Sequence, residues 1–179
     1  YYNNPKATKE VFDKNGFFKT GDIGVIDEDG YLAITGRIKD IIVTSGGKNI
    51  SPQNIENSLK TSLYIEQVAV IGDNRKYLSA LVVPAFPEVE KWAKKNGVAS
   101  SSHADLITND KVISLIDAEI KANMKSFARV EQIRKFSLLD AEWSQETGEL
   151  TPSLKVKRRI INDKYAKEIE AMYVGGDEG

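Results

Sequence analysis

Two aspartate–glycine turns organise the first forty residues. Asp13-Lys14-Asn15-Gly16 and Asp27-Glu28-Asp29-Gly30 each pair an acceptor side chain with a residue that tolerates positive φ. The second turn lies between Ile23-Gly24-Val25-Ile26 and Tyr31-Leu32-Ala33-Ile34, and this stretch predicts a β-hairpin. An isolated hairpin is only marginally stable in water, so the segment needs a partner sheet. The chain therefore opens with strands that it cannot stabilise by local structure alone.

The pattern changes after Arg37. Ile41-Ile42-Val43-Thr44 predicts a β-branched strand, and Ser45-Gly46-Gly47-Lys48 a flexible turn. Ser51-Pro52 supplies an N-cap and a first-turn proline, which predicts a helix over 52–60. Strands follow over 67–71 and 78–83, joined through Asp73-Asn74-Arg75-Lys76. Pro87 opens a helix that Gly97 closes, with Val89, Trp92 and Ala93 facing inward. Ser100-Ser101-Ser102-His103 reads as a polar loop, and its histidine, single in the chain, as a solvated residue. Ile113, Ile116, Ile120, Met124 and Phe127 recur at helical spacing and predict an amphipathic helix from Asp110 against a sheet. A third strand is expected over 133–138. A last helix is expected over 157–173, with Ile161, Tyr165, Ile169 and Met172 on one face. The expected class is α+β, with a short hairpin and a three-stranded sheet packed by helices. A domain boundary is expected at 37–40.

Bulk composition mainly excludes. The chain has 25 Lys+Arg against 26 Asp+Glu, a net charge of -1, which gives no reason to expect a nucleic-acid partner. With no cysteine, disulfides, thiolate metal sites and cysteine nucleophiles are all removed. No apolar run approaches the roughly 20 residues of a membrane-spanning helix. The 179 residues suit one domain, or one domain plus part of another, and the opening Tyr1-Tyr2-Asn3-Asn4-Pro5 reads as a start within a longer protein.

Three constellations could carry chemistry. In Lys19-Thr20-Gly21-Asp22 a carboxylate follows a glycine turn, where it could accept two hydrogen bonds from a ribose diol or serve only as a turn aspartate. The block from Gly36 to Glu56 begins with the anion-binding Arg37 and continues through a strand, a glycine pair and a capped helix. Its Gly46-Gly47-Lys48 lacks the spacing of a Walker phosphate loop. Finally, Lys155, Lys157, Arg158 and Arg159 crowd the start of the last predicted helix. Positive charge there opposes the macrodipole, which suits either a docked anion or a basic face paired to nearby acids.

Taken together and in this order, the blocks resemble the adenylate-forming enzymes, which include acyl-CoA synthetases, luciferase-like enzymes and peptide-synthetase adenylation domains. Tyr1-Tyr2-Asn3-Asn4-Pro5-Lys6-Ala7-Thr8, Phe18 to Gly24, Gly36 to Glu56 and Leu150 to Arg159 are each similar to a motif of that superfamily. The variant Thr151-Pro152-Ser153-Leu154-Lys155, with the long stretch between Pro84 and Val130, resembles the long-chain-fatty-acid–CoA ligases rather than relatives that carry Ser-Gly-Lys or Asn-Gly-Lys. Asn54-Ile55-Glu56 departs from the usual Glu-Ile-Glu.

The resemblance implies roles for individual residues. Asp22 would hold the ribose hydroxyls, and Arg37 would contact the nucleotide. Lys39 would be the hinge about which a lid domain swings. Gly46 would let the pantetheine arm pass, with Lys48 near the nucleotide or CoA. Lys155 would enter the site to stabilise charge as a fatty carboxylate attacks the α-phosphate. No metal ligand is assigned.

The resemblance further implies that residues 1–38 end a large N-terminal AMP-binding domain. Residues 39–174 would form the C-terminal lid, and 175–179 a flexible tail. The full-length enzyme would use ATP, Mg²⁺, CoA and a fatty acid, with its own N-terminal domain as the lid's partner and a cytoplasmic location, peripheral at the inner membrane as one option. The fragment alone is expected to bind no cofactor and to be inactive. Two alternatives stay open: a ligase for an aryl, medium-chain or amino acid, and a free-standing non-catalytic module that binds CoA or a partner.

Overall fold

A computed structural model describes residues 1–175. The chain divides into two compact units, one of residues 1–41 and one from Ile42 onward.

The first unit starts with a helix that sequence patterning does not reveal, α1 (Pro5–Glu10). Asn4 caps it, its side chain accepting from the Ala7 amide at 3.0 Å, and Pro5 occupies the first turn. Six residues are too few to show a helical period. The predicted hairpin is present as β1 (Asp22–Ile26) and β2 (Leu32–Arg37), paired antiparallel. The Asp27 carboxylate closes its turn by accepting from the Tyr31 amide at 2.8 Å. The ladder slips between Ile23 and Gly24, where a Cβ on Gly24 would meet the Ala33 carbonyl at 2.9 Å. Within this unit Val25, Ile26, Leu32 and Ile34 are exposed, as expected of strands that lack a partner sheet. A single 3₁₀ turn, Ile38–Asp40, follows.

The second unit is built on a three-stranded sheet in the order β5-β6-β7, formed by β5 (Ile65–Ile71), β6 (Leu78–Pro84) and β7 (Ile133–Leu138). The central β6 pairs antiparallel with β5 and parallel with β7. All seven β6 residues are buried, which accounts for its unbroken run Leu-Ser-Ala-Leu-Val-Val-Pro. Ahead of the sheet, β3 (Ile42–Val43) and β4 (Asn49–Ile50) form a short hairpin. The β-branched strand expected over 41–44 is thus only two residues long, because the chain turns back at Thr44. This hairpin packs closely on the sheet: a Cβ on Gly72 would meet Leu78 Cδ2 at 2.3 Å and Ile42 Cγ2 at 3.2 Å.

Five further elements and α2 (Pro52–Leu59) cover the sheet: α3 (Phe86–Lys95), α4 (His103–Thr108), α5 (Asp110–Asn123), α6 (Arg158–Lys164) and α7 (Ala166–Tyr173). Ile55, Leu59, Val89, Leu106, Ile116, Ile120, Ile161 and Met172 carry their inward faces into one core. Gly97, at φ +65°, ends α3 as expected, with the Val98 amide donating to the Ala93 carbonyl at 2.9 Å.

Three expectations need correction. His103 is not a loop residue. Ser102 caps α4 by accepting from the Asp105 amide, and the imidazole of His103 stacks on buried Phe86 at 3.6 Å between centroids. The stripe of α5 gains Val112 beside Ile116 and Ile120, with Ile113 packed against the same core, but the helix stops at Asn123, leaving Met124 as a buried cap residue and Phe127 packed on the core beyond it. The last helix is two helices, since Tyr165 leaves helical geometry at φ −107°, ψ 28°. Of the expected tail, 176–179 lie outside the described residues.

The final helix closes the sheet from a distance. Tyr77 Oη donates to the Met172 carbonyl at 2.8 Å, and Ser79 Oγ donates to Tyr173 Oη at 2.8 Å. Arg75 pairs with Glu170 and lies over the Tyr173 ring at 4.6 Å.

Candidate functional site

The expected nucleotide-binding pair comes together in the first unit. Asp22 and Arg37 face each other across β1 and β2, and Arg37 Nε lies 3.0 Å from Asp22 Oδ1. The Thr20 hydroxyl accepts from the Asp22 amide at 3.1 Å, and Gly21, at φ +77°, makes the turn that sets the aspartate at the strand end. Asp22 is half-buried and Arg37 exposed, so the pair offers a carboxylate and a guanidinium side by side at the end of the hairpin. Lys39 follows in the 3₁₀ turn, exposed.

In the second unit Gly46 and Lys48 belong to the turn between β3 and β4. The Thr44 amide donates to the Lys48 carbonyl at 3.0 Å, and the Gly47 amide to the Thr44 carbonyl at 2.8 Å. The Lys48 amide donates to Thr44 Oγ1 at 3.2 Å. Gly46 faces open space, a Cβ there meeting only Thr44 Oγ1 at 3.9 Å, whereas Gly47 sits at φ +74° and is the glycine that the backbone requires. Lys48 is exposed.

Lys155 stands at the end of a second tight turn. Its flanks are joined by an antiparallel bridge between Leu150 and Val156. The Thr151 amide donates to the Lys155 carbonyl at 2.8 Å, the Leu154 amide to the Thr151 carbonyl at 2.8 Å, and the Lys155 amide to Thr151 Oγ1 at 3.0 Å. Leu154 takes φ +57°, a left-handed conformation uncommon outside glycine, asparagine and aspartate. Lys155 is exposed, and among the described residues its ammonium has no ion-pair partner. An open groove of about 670 Å³ runs beside the turn, with Trp143, Leu150, Leu154 and Val156 in its wall.

The turn is rooted by a residue to which the sequence reading gives no role. Glu149 is 1% exposed. Its carbonyl accepts from the Lys157 amide at 2.7 Å, and its carboxylate takes Lys164 Nζ, Thr147 Oγ1 and, at 3.4 Å, Tyr165 Oη. Burial works to raise its pKa, but the Lys164 and Thr147 hydrogen bonds more than reverse this and hold it down at about 2. A lone glutamate in a polar stretch gives no signal of burial; only the contacts from α6 reveal it.

The crowded cations separate into different environments. Arg158 donates to Glu56 at 2.7 Å and to the Val70 carbonyl at 3.1 Å, tying α6 to α2 and β5. Glu56 also accepts from the Val70 amide at 2.9 Å. Burial raises the Glu56 pKa, and Arg158 only partly opposes that shift. Arg158 is therefore a structural cation, and Arg159 lies 3.9 Å from Asp163 in solvent. Among the described residues there is no group of three or more His, Cys, Asp or Glu able to hold a metal ion. Nor is any helix there long and apolar enough to cross a membrane.

Residues 39–177 match the AMP-binding enzyme C-terminal domain. The chain belongs to that family. It is 44% identical over 174 residues to the long-chain-fatty-acid–CoA ligase FadD15 of Mycobacterium tuberculosis, a match covering 97% of this chain and 29% of the ligase. The chain thus spans under a third of the curated relative's length. Among solved structures, it is similar to the adenylation domain of a carboxylate reductase from Mycobacterium chelonae, with a TM-score of 0.81 and 26% identity. That match covers 97% of this chain and 25% of the reductase chain. A second is the corresponding domain from Segniliparus rugosus, solved with AMP and a co-purified carboxylic acid (TM-score 0.77, 27% identity, 97% of this chain and 26% of that one). The α+β fold of a family member is therefore the fold observed.

Proposed function

We propose that this chain is the C-terminal part of a long-chain-fatty-acid–CoA ligase, which converts a fatty acid, ATP and CoA to acyl-CoA, AMP and pyrophosphate through an acyl-adenylate. The observation that carries the reading is Lys155, whose ammonium has no ion-pair partner among the described residues, at the end of a hydrogen-bonded turn in a chain 44% identical to such a ligase. On this reading residues 1–38 complete the AMP-binding domain and the remainder is the lid. Asp22 and Arg37 hold the ribose and the nucleotide, and Lys39 is the hinge. Gly46 and Lys48 line the approach of CoA. A fatty acid is favoured over other carboxylates because the ligase identity, 44%, exceeds the 26% identity to the reductase domain. Cytoplasmic placement fits a chain without cysteine.

Lys155 acts electrostatically. As the fatty carboxylate attacks the α-phosphate, negative charge gathers on phosphoryl oxygens, and an ammonium carried on a fixed backbone meets it with little reorganisation. The described residues hold no cluster of three or more His, Cys, Asp or Glu, and no step is assigned to Mg²⁺.

The test separates the two half-reactions in the whole ligase. Lys155→Ala should lower ATP–pyrophosphate exchange by about 100-fold or more, in the range of a lost oxyanion-stabilising group. Thioester formation from supplied acyl-adenylate should persist. Equal loss of both halves argues against the assigned role. The 179-residue chain alone should show no exchange.

A further inference from the structure

The turns that end at Lys48 and Lys155 lie more than a hundred residues apart in sequence, yet they are built alike. Each starts at a threonine whose amide donates to the carbonyl of the lysine four residues on, at 3.0 Å for Thr44 and 2.8 Å for Thr151. In each, the threonine carbonyl accepts from the fourth residue's amide at 2.8 Å. That fourth residue is left-handed in both, Gly47 at φ +74° and Leu154 at φ +57°. In each, the threonine hydroxyl accepts from the lysine amide, at 3.2 Å and 3.0 Å. The intervening residues differ at both positions: Ser45-Gly46 in one and Pro152-Ser153 in the other. Three-residue hairpins with a left-handed third residue are common, but the side-chain bond from the first residue to the lysine amide is an addition to that pattern.

We propose that Thr44 and Thr151 are positioning residues, each using its hydroxyl to fix the backbone of the lysine that closes its turn, so that the lid carries two equivalent lysine-presenting devices. The roles of the lysines rest on the functional reading above; the turn geometry does not. Valine lacks the acceptor; at Thr151 it also removes the hydroxyl's contact with Ser153 Oγ at 3.1 Å, which the serine variant below restores. Displacement of a reacting group by about an ångström can lower a rate by about 100-fold.

The experiment has a structural arm and a kinetic arm. In the 179-residue chain, amide hydrogen exchange should speed up by about tenfold at Lys48 in Thr44→Val and at Lys155 in Thr151→Val, each without change at the other lysine. In the whole ligase, Thr151→Val should lower kcat for adenylation by about 10- to 100-fold while leaving thioester formation from supplied adenylate within twofold. Thr44→Val should do the reverse. Thr151→Ser and Thr44→Ser, which restore the acceptor, should recover most of the loss. Unchanged exchange at the lysine amides overturns the positioning role, as does equal loss of both half-reactions with no rescue by serine. If the exchange result holds but Lys155→Ala leaves adenylation intact, the device stands and the functional reading fails.

Discussion

Leu154 occupies a backbone region where a side chain crowds its own carbonyl, at a cost of roughly 1–2 kcal/mol relative to glycine. It is 66% exposed, so little burial offsets that strain. Replacing it with glycine removes the strain but adds freedom to the unfolded chain. Strain relief should prevail: Leu154→Gly is expected to raise the unfolding free energy of the chain by about 0.5–1 kcal/mol in urea titration. A decrease would mean that the leucine makes a stabilising contact in the groove wall. This position also shows why the sequence disclosed part of the site and withheld part. The lysines and Asp22 belong to contiguous motifs and could be named directly. The left-handed state of Leu154 could not, since nothing in a leucine announces it. Gly47 could be suspected, but in a Gly-Gly pair the sequence does not say which residue turns, and the structure assigns that role to Gly47 rather than to Gly46.

The Lys155 turn and the helix after it are joined through Glu149. Its folded pKa of about 2 lies below the ordinary 4.5, so between those values the folded chain binds fewer protons than the unfolded chain. The stabilisation is complete above about pH 4.5 and fades as pH falls through this window towards 2. A shift of that size corresponds to at most about 3–4 kcal/mol. Glu149→Gln should therefore lower stability at pH 7, with the gap to the native chain narrowing on acidification, as read from urea midpoints between pH 7 and pH 3. A gap independent of pH would show that shape rather than charge matters at this position. Most elements were legible because their cause is local. Short apolar runs rich in valine and isoleucine or leucine marked β5 and β6, a Ser-Pro start marked α2, and Gly97 marked the end of α3. What escaped detection has non-local causes. The division of the last helix occurs at Tyr165, whose hydroxyl lies near Glu149 and whose ring lies 6.2 Å from Trp143. The place of His103 depends on Phe86, seventeen positions earlier.

At the scale of the molecule, the second unit closes a core within itself, whereas the strands of the first expose Val25, Ile26, Leu32 and Ile34. The chain from Ile42 onward should accordingly keep its cooperative unfolding midpoint when residues 1–41 are deleted, as followed by tryptophan fluorescence from Trp92 and Trp143. Loss of the transition would show that the core depends on the first unit. The contacts of α7 have a consequence for biosynthesis. Its partners Arg75, Tyr77 and Ser79 lie about 95 positions upstream. A ribosome thus delivers Arg75, Tyr77 and Ser79 long before the segment that covers them, and the nascent chain must hold that face bare until α7 emerges. A transcript stopped just before the codons of α7 would yield a product with the Lys155 turn intact and the Tyr77 face bare, a product suited to recognition by chaperones and proteases.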